Sequence, residues 1–199
     1  VRLNDGRTGS VTIGGTVSPA GGNFDEPVTQ ATLKVVGAVH GLSRARSDAR
    51  RYPAIDPLDS WSKYASIAEK DKVEQARDVL RRGSDVGQMM KVVGEEGTSM
   101  PDFVLYLKSE YMDATYLQQN AFNEVDAATS RDRQIAVFDV LSNVLDATLS
   151  FDTKENARGW FQKLTQLSRE WNFLPMDDDA YSEQQQKIEA LLAEARQDA

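Results

Sequence analysis

A mainly α-helical bundle, attached to the last strands of a larger unit, is the fold that the sequence predicts. Three observations predict it. From Pro57 onward, apolar residues recur at helical spacing, as in Ile135, Phe138, Leu141, Leu145 and Leu149. Before Pro57 the chain is rich in glycine and β-branched residues, as in SVTIGGTV and TLKVVGAV. Between the two lies Arg51–Tyr64, RYPAIDPLDSWSKY. Its Pro53 and Pro57 fix the backbone around Ala54 and Ile55, and each pushes the residue before it out of the helical region. A stiff corner therefore ends one kind of structure and begins another. Asp56 is placed to cap a helix starting at Pro57.

The elements run in order along the chain. Gly6–Gly9 reads as a turn and Ser10–Val17 as a strand weakened by Gly14 and Gly15. Ser18–Pro27 is a loop by composition. Thr29–Val39 is β-branched and apolar and reads as a second strand. Leu42–Arg51 is a short basic helix. Pro57–Glu69 and Asp71–Arg82 read as helices, with Gly83 as a stop; Ser84–Val93 comes next and ends at Gly94. Glu95–Met100 is a turn. Pro101–Gln118 is a helix with Val104, Leu107 and Tyr111 on one face. Asn120–Ala128 is a loop and Ser130–Ser150 a long helix. Asp152 with Glu155 has the form of a capping box for a helix over Thr153–Phe173. That helix carries Trp160, Phe161, Leu164, Leu167 and Trp171. Leu174–Asp179 is a linker and Ala180–Arg196 a Gln-rich helix anchored by Ile188, Leu191 and Leu192. Two short strands cannot bury both faces of a sheet, so the expected sheet belongs to a larger unit. The chain opens VRLNDG, without Met, which fits a fragment of a longer protein.

Composition narrows the function. Of 199 residues, 40% are hydrophobic, enough for a real core. The net charge of −8 argues against nucleic acid as a partner. There is no cysteine, hence no disulfide framework and no thiolate metal site. His40 is the single histidine, too little for a metal centre or a Ser/His/Asp arrangement. No apolar run approaches the roughly 20 residues of a membrane span, so direct membrane insertion is not expected. The glycines of SPAGGNFDEP lack the Lys and Ser/Thr of a phosphate-binding loop, and GxxxxGK[ST] occurs nowhere.

Two aromatics stand out. An isolated Tyr or Phe is ordinarily a core residue. Tyr52, however, sits on the stiff mount made by Pro53, and Phe122 lies in a polar loop, QQNAFNEVD, off any apolar stripe. Aromatics so placed are candidates for ligand contact. The turn Gly94–Asp102, GEEGTSMPD, is acidic and reads equally as a solvated loop or as a contact surface. Arg44, Arg46, Arg50 and Arg51 are left open between a ligand and a neighbouring subunit.

These same stretches resemble a known family. YPAIDPLDS is similar to the corner that comes after the nucleotide-binding domain in rotary ATPase catalytic subunits, in a spelling closer to the F-type β subunit. GRTGSVTIGGTVSPAGGNFDEPVTQATLKVV, Gly6 to Val36, and YLQQNAFNEVD, Tyr116 to Asp126, resemble the catalytic A subunit of V/A-type ATPases. The resemblance implies a C-terminal helical bundle over residues 57–199. Before it would come the last strands of an α/β nucleotide-binding domain over residues 1–56, with the phosphate-binding loop absent. It implies that Tyr52 and Phe122 flank an adenine ring and that Leu42 lines the same pocket, stacking being the chemistry suited to such residues. It implies no catalytic residue and no metal ligand in this stretch. ATP or ADP with Mg²⁺ would belong to the longer parent, and the fragment would require no cofactor.

The parent would couple ATP hydrolysis or synthesis to proton or Na⁺ transport, as part of a cytoplasmic head peripheral to the membrane. Its partners would be B subunits of an alternating hexamer and a central-stalk rotor. Glu95, Glu96 and Asp102 would face that rotor, from a turn about one 25 Å helix length away from the pocket. The alternatives are a helical interaction module without nucleotide binding, and the noncatalytic B-type subunit.

Overall fold

The computed structural model describes residues 1–64 and 67–195, and the chain divides into two compact units, Val1–Val39 and His40–Ala199.

In the first unit, Arg2 and Thr8 form an antiparallel bridge around the turn at Gly6. Neither expected strand forms over its full length. Residues 10–17 carry no regular structure and are exposed throughout. No other residue comes near Gly14 or Gly15, so nothing compensates the entropy that two adjacent glycines lose in a strand. Over the second, Pro27–Val35 is a helix, α1. Pro27 is preorganised at its first position, and the Thr32 hydroxyl donates to the Val28 carbonyl at 2.9 Å. Strand propensity measures the fit to a pleated neighbour, and this segment has no ladder to join. Of that expected strand, Ala38–Val39 alone forms a strand.

The second unit is the expected helical bundle. After the short helix α2, Arg44–Asp48, come α3, Lys70–Val93, and α4, Met100–Met112. The short α5, Glu124–Ala127, lies within the expected loop. Beyond it are α6, Arg131–Asp146, α7, Lys154–Asn172, and α8, Asp179–Ala195. The main packing pairs are α3 with α4, α4 with α7, and α7 with α8, with α6 against α3 and α4. Phe103, Val144, Leu164, Trp171 and Ile188 are the largest fully buried side chains. Trp171 and Trp160 also tie α7 to α8, their indole nitrogens donating to the carbonyls of Tyr181 (3.1 Å) and Leu191 (3.2 Å).

Several helix boundaries differ from expectation, each for a local reason. Pro57–Glu69 is not a helix. Asp56 does cap, accepting from the amides of Leu58 and Asp59, but the chain beyond it makes a turn and then the extended pair Trp61–Ser62. The Arg77 guanidinium takes the carbonyls of Pro57 (2.8 Å), Leu58 (2.9 Å) and Ser60 (3.1 Å), which a continuing helix would have used. Residues 65–66 of that expected helix lie outside the described residues.

Gly83 does not stop a helix; it lies inside the single helix α3, which ends at Gly94 with φ 77°. Gly83 is there for contact. A Cβ at this position would overlap the Ser109 Cβ and come within 2.6 Å of its Oγ, so α3 and α4 cross closely at this point. Helix α7 is capped by Thr153 rather than Asp152, the Thr153 hydroxyl accepting from the Asn156 amide at 3.2 Å. Helix α6 ends at Asp146, where Lys108 donates to the carbonyls of Leu145 and Ala147, both at 2.7 Å. Among the described residues, no helix is long and apolar enough to cross a membrane.

Candidate functional site

Helix α4 leaves α-geometry at its end. Asp113–Leu117 forms one π-helical turn, closed by the Gln118 amide donating to the Asp113 carbonyl at 3.0 Å. Asn172 of α7 braces it, its Nδ2 donating to the Thr115 carbonyl at 2.6 Å. The chain then turns through Asn120–Asn123, a tight knot. The Phe122 amide donates to Asn120 Oδ1 at 3.0 Å, and the Asn120 amide donates to Asp126 Oδ2 at 2.6 Å. Asn123 Oδ1 accepts from the amides of Val125 and Asp126. The backbone at Phe122 is thus pinned while its ring is 99% exposed.

Tyr52 approaches from the corner. Residues 41–43 pair antiparallel with 54–56: the Asp56 amide donates to the Gly41 carbonyl at 2.7 Å, and the Ser43 amide to the Ala54 carbonyl at 2.9 Å. The Tyr52–Pro53 peptide is cis. The Gln119 amide donates to the Tyr52 carbonyl at 2.7 Å, and the Tyr52 side chain is 56% exposed.

Tyr52 and Phe122 line one cavity of about 480 Å³, together with Ala114, Gln118, Arg169 and Phe173. Two of the three expected pocket residues are therefore brought together. Leu42 is not among the lining residues; its backbone bridges Ile55 and its side chain is 76% exposed. Phe173, just past α7, and Arg169, whose Nε donates to the Ala114 carbonyl at 3.2 Å, are walls that the sequence analysis missed. Phe173 had a signal: it lies two residues past Trp171, off the apolar stripe of α7. An open, aromatic-walled cavity with amide groups on its rim suits a flat heteroaromatic ring.

The basic corner has an internal role. Arg46 Nη1 donates to Asp113 Oδ1 at 2.6 Å, and Arg51 pairs with Asp113 Oδ2 and reaches Glu110 at 3.3 Å. Burial pulls the Arg46 guanidinium below its ordinary value, with Asp56 opposing. Asp126, also buried, has its carboxyl raised by burial, against the lowering pull of the Asn120 amide and of Arg133.

The acidic turn sorts its three carboxylates. Asp102 is engaged at the N-cap of α4: the Asp102 amide donates to Ser99 Oγ, and that hydroxyl donates to Asp102 Oδ2 at 2.6 Å. Glu95 pairs with Arg158 of α7, and Lys154 donates to the Glu95 carbonyl at 2.5 Å. Glu96 is exposed and, among the described residues, its carboxylate is unpaired. It shares this end of the α3–α4 hairpin with exposed Val92 and Val93. Among the described residues, no three His, Cys, Asp or Glu side chains gather into a group able to hold a metal ion.

Comparison with known proteins gives this arrangement its class. Residues 1–62 match the family model of the ATP synthase alpha/beta family, nucleotide-binding domain. Residues 70–155 match the C-terminal domain of V and A type ATP synthase. The chain belongs to the V and A type of the ATP synthase alpha/beta family.

Its relatives are close. It is 57% identical to the V-type ATP synthase alpha chain of Treponema denticola over 98% of its length, which is 33% of that protein. It is 56% identical to alpha chain 1 of Treponema pallidum over 96% of its length, again 33% of that protein. With the alpha chain of Borrelia hermsii the identity is 53% over 100% of this chain and 34% of that one. The chain thus spans about a third of the length of these relatives. The ATP synthase subunit NeqB from Nanoarcheaum equitans shares the fold, with a TM-score of 0.52 at 19% identity over 62% of this chain and 32% of that one.

Proposed function

We propose that this chain supplies the adenine wall and the rotor-facing helical domain of a V-type ATP synthase alpha chain, the catalytic A subunit. The parent hydrolyses or makes ATP and couples that to transport of protons or Na⁺. The observation that carries this is the shared cavity of Tyr52 and Phe122, two aromatics from distant segments presented on pinned backbone. Stacking on a base demands little more than such faces. Family membership supplies the nucleotide; the cavity supplies the place for its base. The relatives are alpha chains, which favours this reading over a B-type subunit or a module that binds no nucleotide.

The chemistry at the phosphates lies with other residues of the parent. Among the described residues that line this cavity there is no lysine and no glycine-rich loop of the kind that cradles a triphosphate, so ATP or ADP with Mg²⁺ is held elsewhere at its reactive end. What this chain does is bind and orient the base. Its partners in the assembly are B subunits in an alternating ring and a central-stalk rotor, the latter meeting the Glu96 end of the α3–α4 hairpin. The assembly is a cytoplasmic head peripheral to the membrane. Leu42, exposed and outside the lining of this cavity, is kept as an apolar neighbour of the base on the family resemblance alone.

The test is Mg-ATP titration of the full-length alpha chain. Phe122→Ala should raise the dissociation constant by about fivefold to a hundredfold, the span of about 1–3 kcal/mol for one base–aromatic stack. An unchanged constant would remove the adenine assignment.

A further inference from the structure

We propose that Asp113 is a positioning residue of this cavity: it holds the Tyr52 wall against the π-helical turn and so sets nucleotide affinity without touching nucleotide. The proposal rests on the nucleotide reading above.

Asp113 opens the π-helical turn and is 7% exposed. Both of its oxygens are taken, Oδ1 by Arg46 and Oδ2 by Arg51. Arg51 is the residue immediately before Tyr52. Arg50, before that, has φ 57°, a left-handed conformation that a residue with a side chain keeps only where its surroundings hold it. On the far side of the turn, the Gln119 amide holds the Tyr52 carbonyl at 2.7 Å. Two consecutive residues of the corner, 51 and 52, are therefore stitched to either side of one turn, to Asp113 that opens it and to Gln119 two residues past its end. Ala114 and Gln118, between those stitches, line the cavity.

The electrostatics make one stitch depend on Asp113. Arg46 Nε and Nη2 are buried without a partner among the described residues, so its bonding runs through Nη1 to Asp113. Without the Asp113 charge, two guanidiniums would face one another, half-buried, with Glu110 reaching only one of them. Their repulsion would lift Arg51 from the turn, and Tyr52 would move with it. A π-helical turn at the end of α4 supplies the geometry: its wider loop brings the Asp113 carboxylate and the Gln119 amide to bear on the same short segment.

The experiment is a double-mutant cycle in the full-length alpha chain, read as Mg-ATP dissociation constants by calorimetry. Asp113→Asn keeps the shape and removes the charge. It should weaken binding about tenfold in the wild-type background and leave it unchanged in a Tyr52→Ala background, since Asp113 acts through Tyr52. Equal losses in both backgrounds, or none in the wild type, would overturn the proposal. Arg51→Gln cuts the same stitch from its other end and should give the same loss and the same dependence on Tyr52, which keeps the test open if Asp113→Asn does not fold. The two readings fail differently. If Tyr52→Ala itself leaves affinity unchanged, the base assignment of this wall falls and the positioning role with it. If Tyr52→Ala weakens binding and Asp113→Asn does not, only the positioning role falls.

Discussion

The amide of Gln119 donates to the carbonyl of Tyr52 at 2.7 Å, so the segment presenting Phe122 and the segment presenting Tyr52 are joined through backbone. A side-chain change at Tyr52 leaves that bond in place. Tyr52→Phe should therefore leave Mg-ATP affinity of the full-length chain within about twofold, since the ring and not the hydroxyl makes the wall. Tyr52→Ala should weaken it by about fivefold or more. Calorimetric titration of both variants checks the contrast; a large loss for Tyr52→Phe would mean that the hydroxyl is the contact.

Gly83 sits where α3 and α4 cross. Because the nearest atoms are the Ser109 side chain, with the Leu105 carbonyl 3.6 Å away, Gly83→Ala forces the helices apart. Overpacking of this kind costs about 1–3 kcal/mol, more than the gain in helix propensity of about 1 kcal/mol. Urea unfolding should show the loss. Pairing it with Ser109→Gly should restore part of the stability, because the overlap is with that side chain.

The hairpin tip yields a division of labour. Glu95 is held by Arg158 and Glu96 is exposed, so Glu95→Ala should cost stability by about 0.2–1 kcal/mol and Glu96→Ala should not. Rotor contact is read separately, by a cysteine placed at Glu96 in this Cys-free chain and an engineered cysteine on the rotor. Gly97 is the poorer site, since a Cβ there would meet the Val93 carbonyl at 2.9 Å. Disulfide formation at some rotor angle supports the contact; no crosslink at any angle leaves Glu96 a solvated loop residue.

The bundle is legible in the sequence because its helices carry their own pattern. Val104, Leu107 and Tyr111, or Phe161, Leu164 and Trp171, are spaced for one face, and that face is buried. Tyr52 and Phe122 are legible as aromatics on the wrong kind of segment. The features that escape the sequence depend on partners distant along the chain. Gly83 has the composition of a stop until Ser109 is placed opposite it. Pro57–Glu69 has the composition of a helix until Arg77 takes its carbonyls. The Arg46 and Arg51 charges are visible, but not that Asp113 claims both. Along Ser10–Val17 and Thr29–Val39, β-branched residues have the composition of strands; the first carries no regular structure, and α1 takes most of the second.

The buried Asp126 carboxyl gives a pH signature. Burial raises its value in the folded chain above the ordinary 3.8. A raised group contributes stability that is fully present below the unfolded value and is lost as pH rises through the folded one. Relative to Asp126→Asn, the wild type should thus be most stable below pH 3.8 and lose that advantage on the way to neutrality. Urea midpoints for both proteins across this range test it; a difference that grows with pH would contradict the assigned direction.

The central claim is that a nucleotide base lies between Tyr52 and Phe122. An ATP analogue with an azide on the adenine ring, bound with Mg²⁺ to the full-length alpha chain and photolysed, reports the base's neighbours directly. The account predicts covalent label on Tyr52 or within residues 118–122, suppressed by excess ATP. ATP-protected label confined to peptides outside residues 52, 114–126 and 169–173 would contradict it.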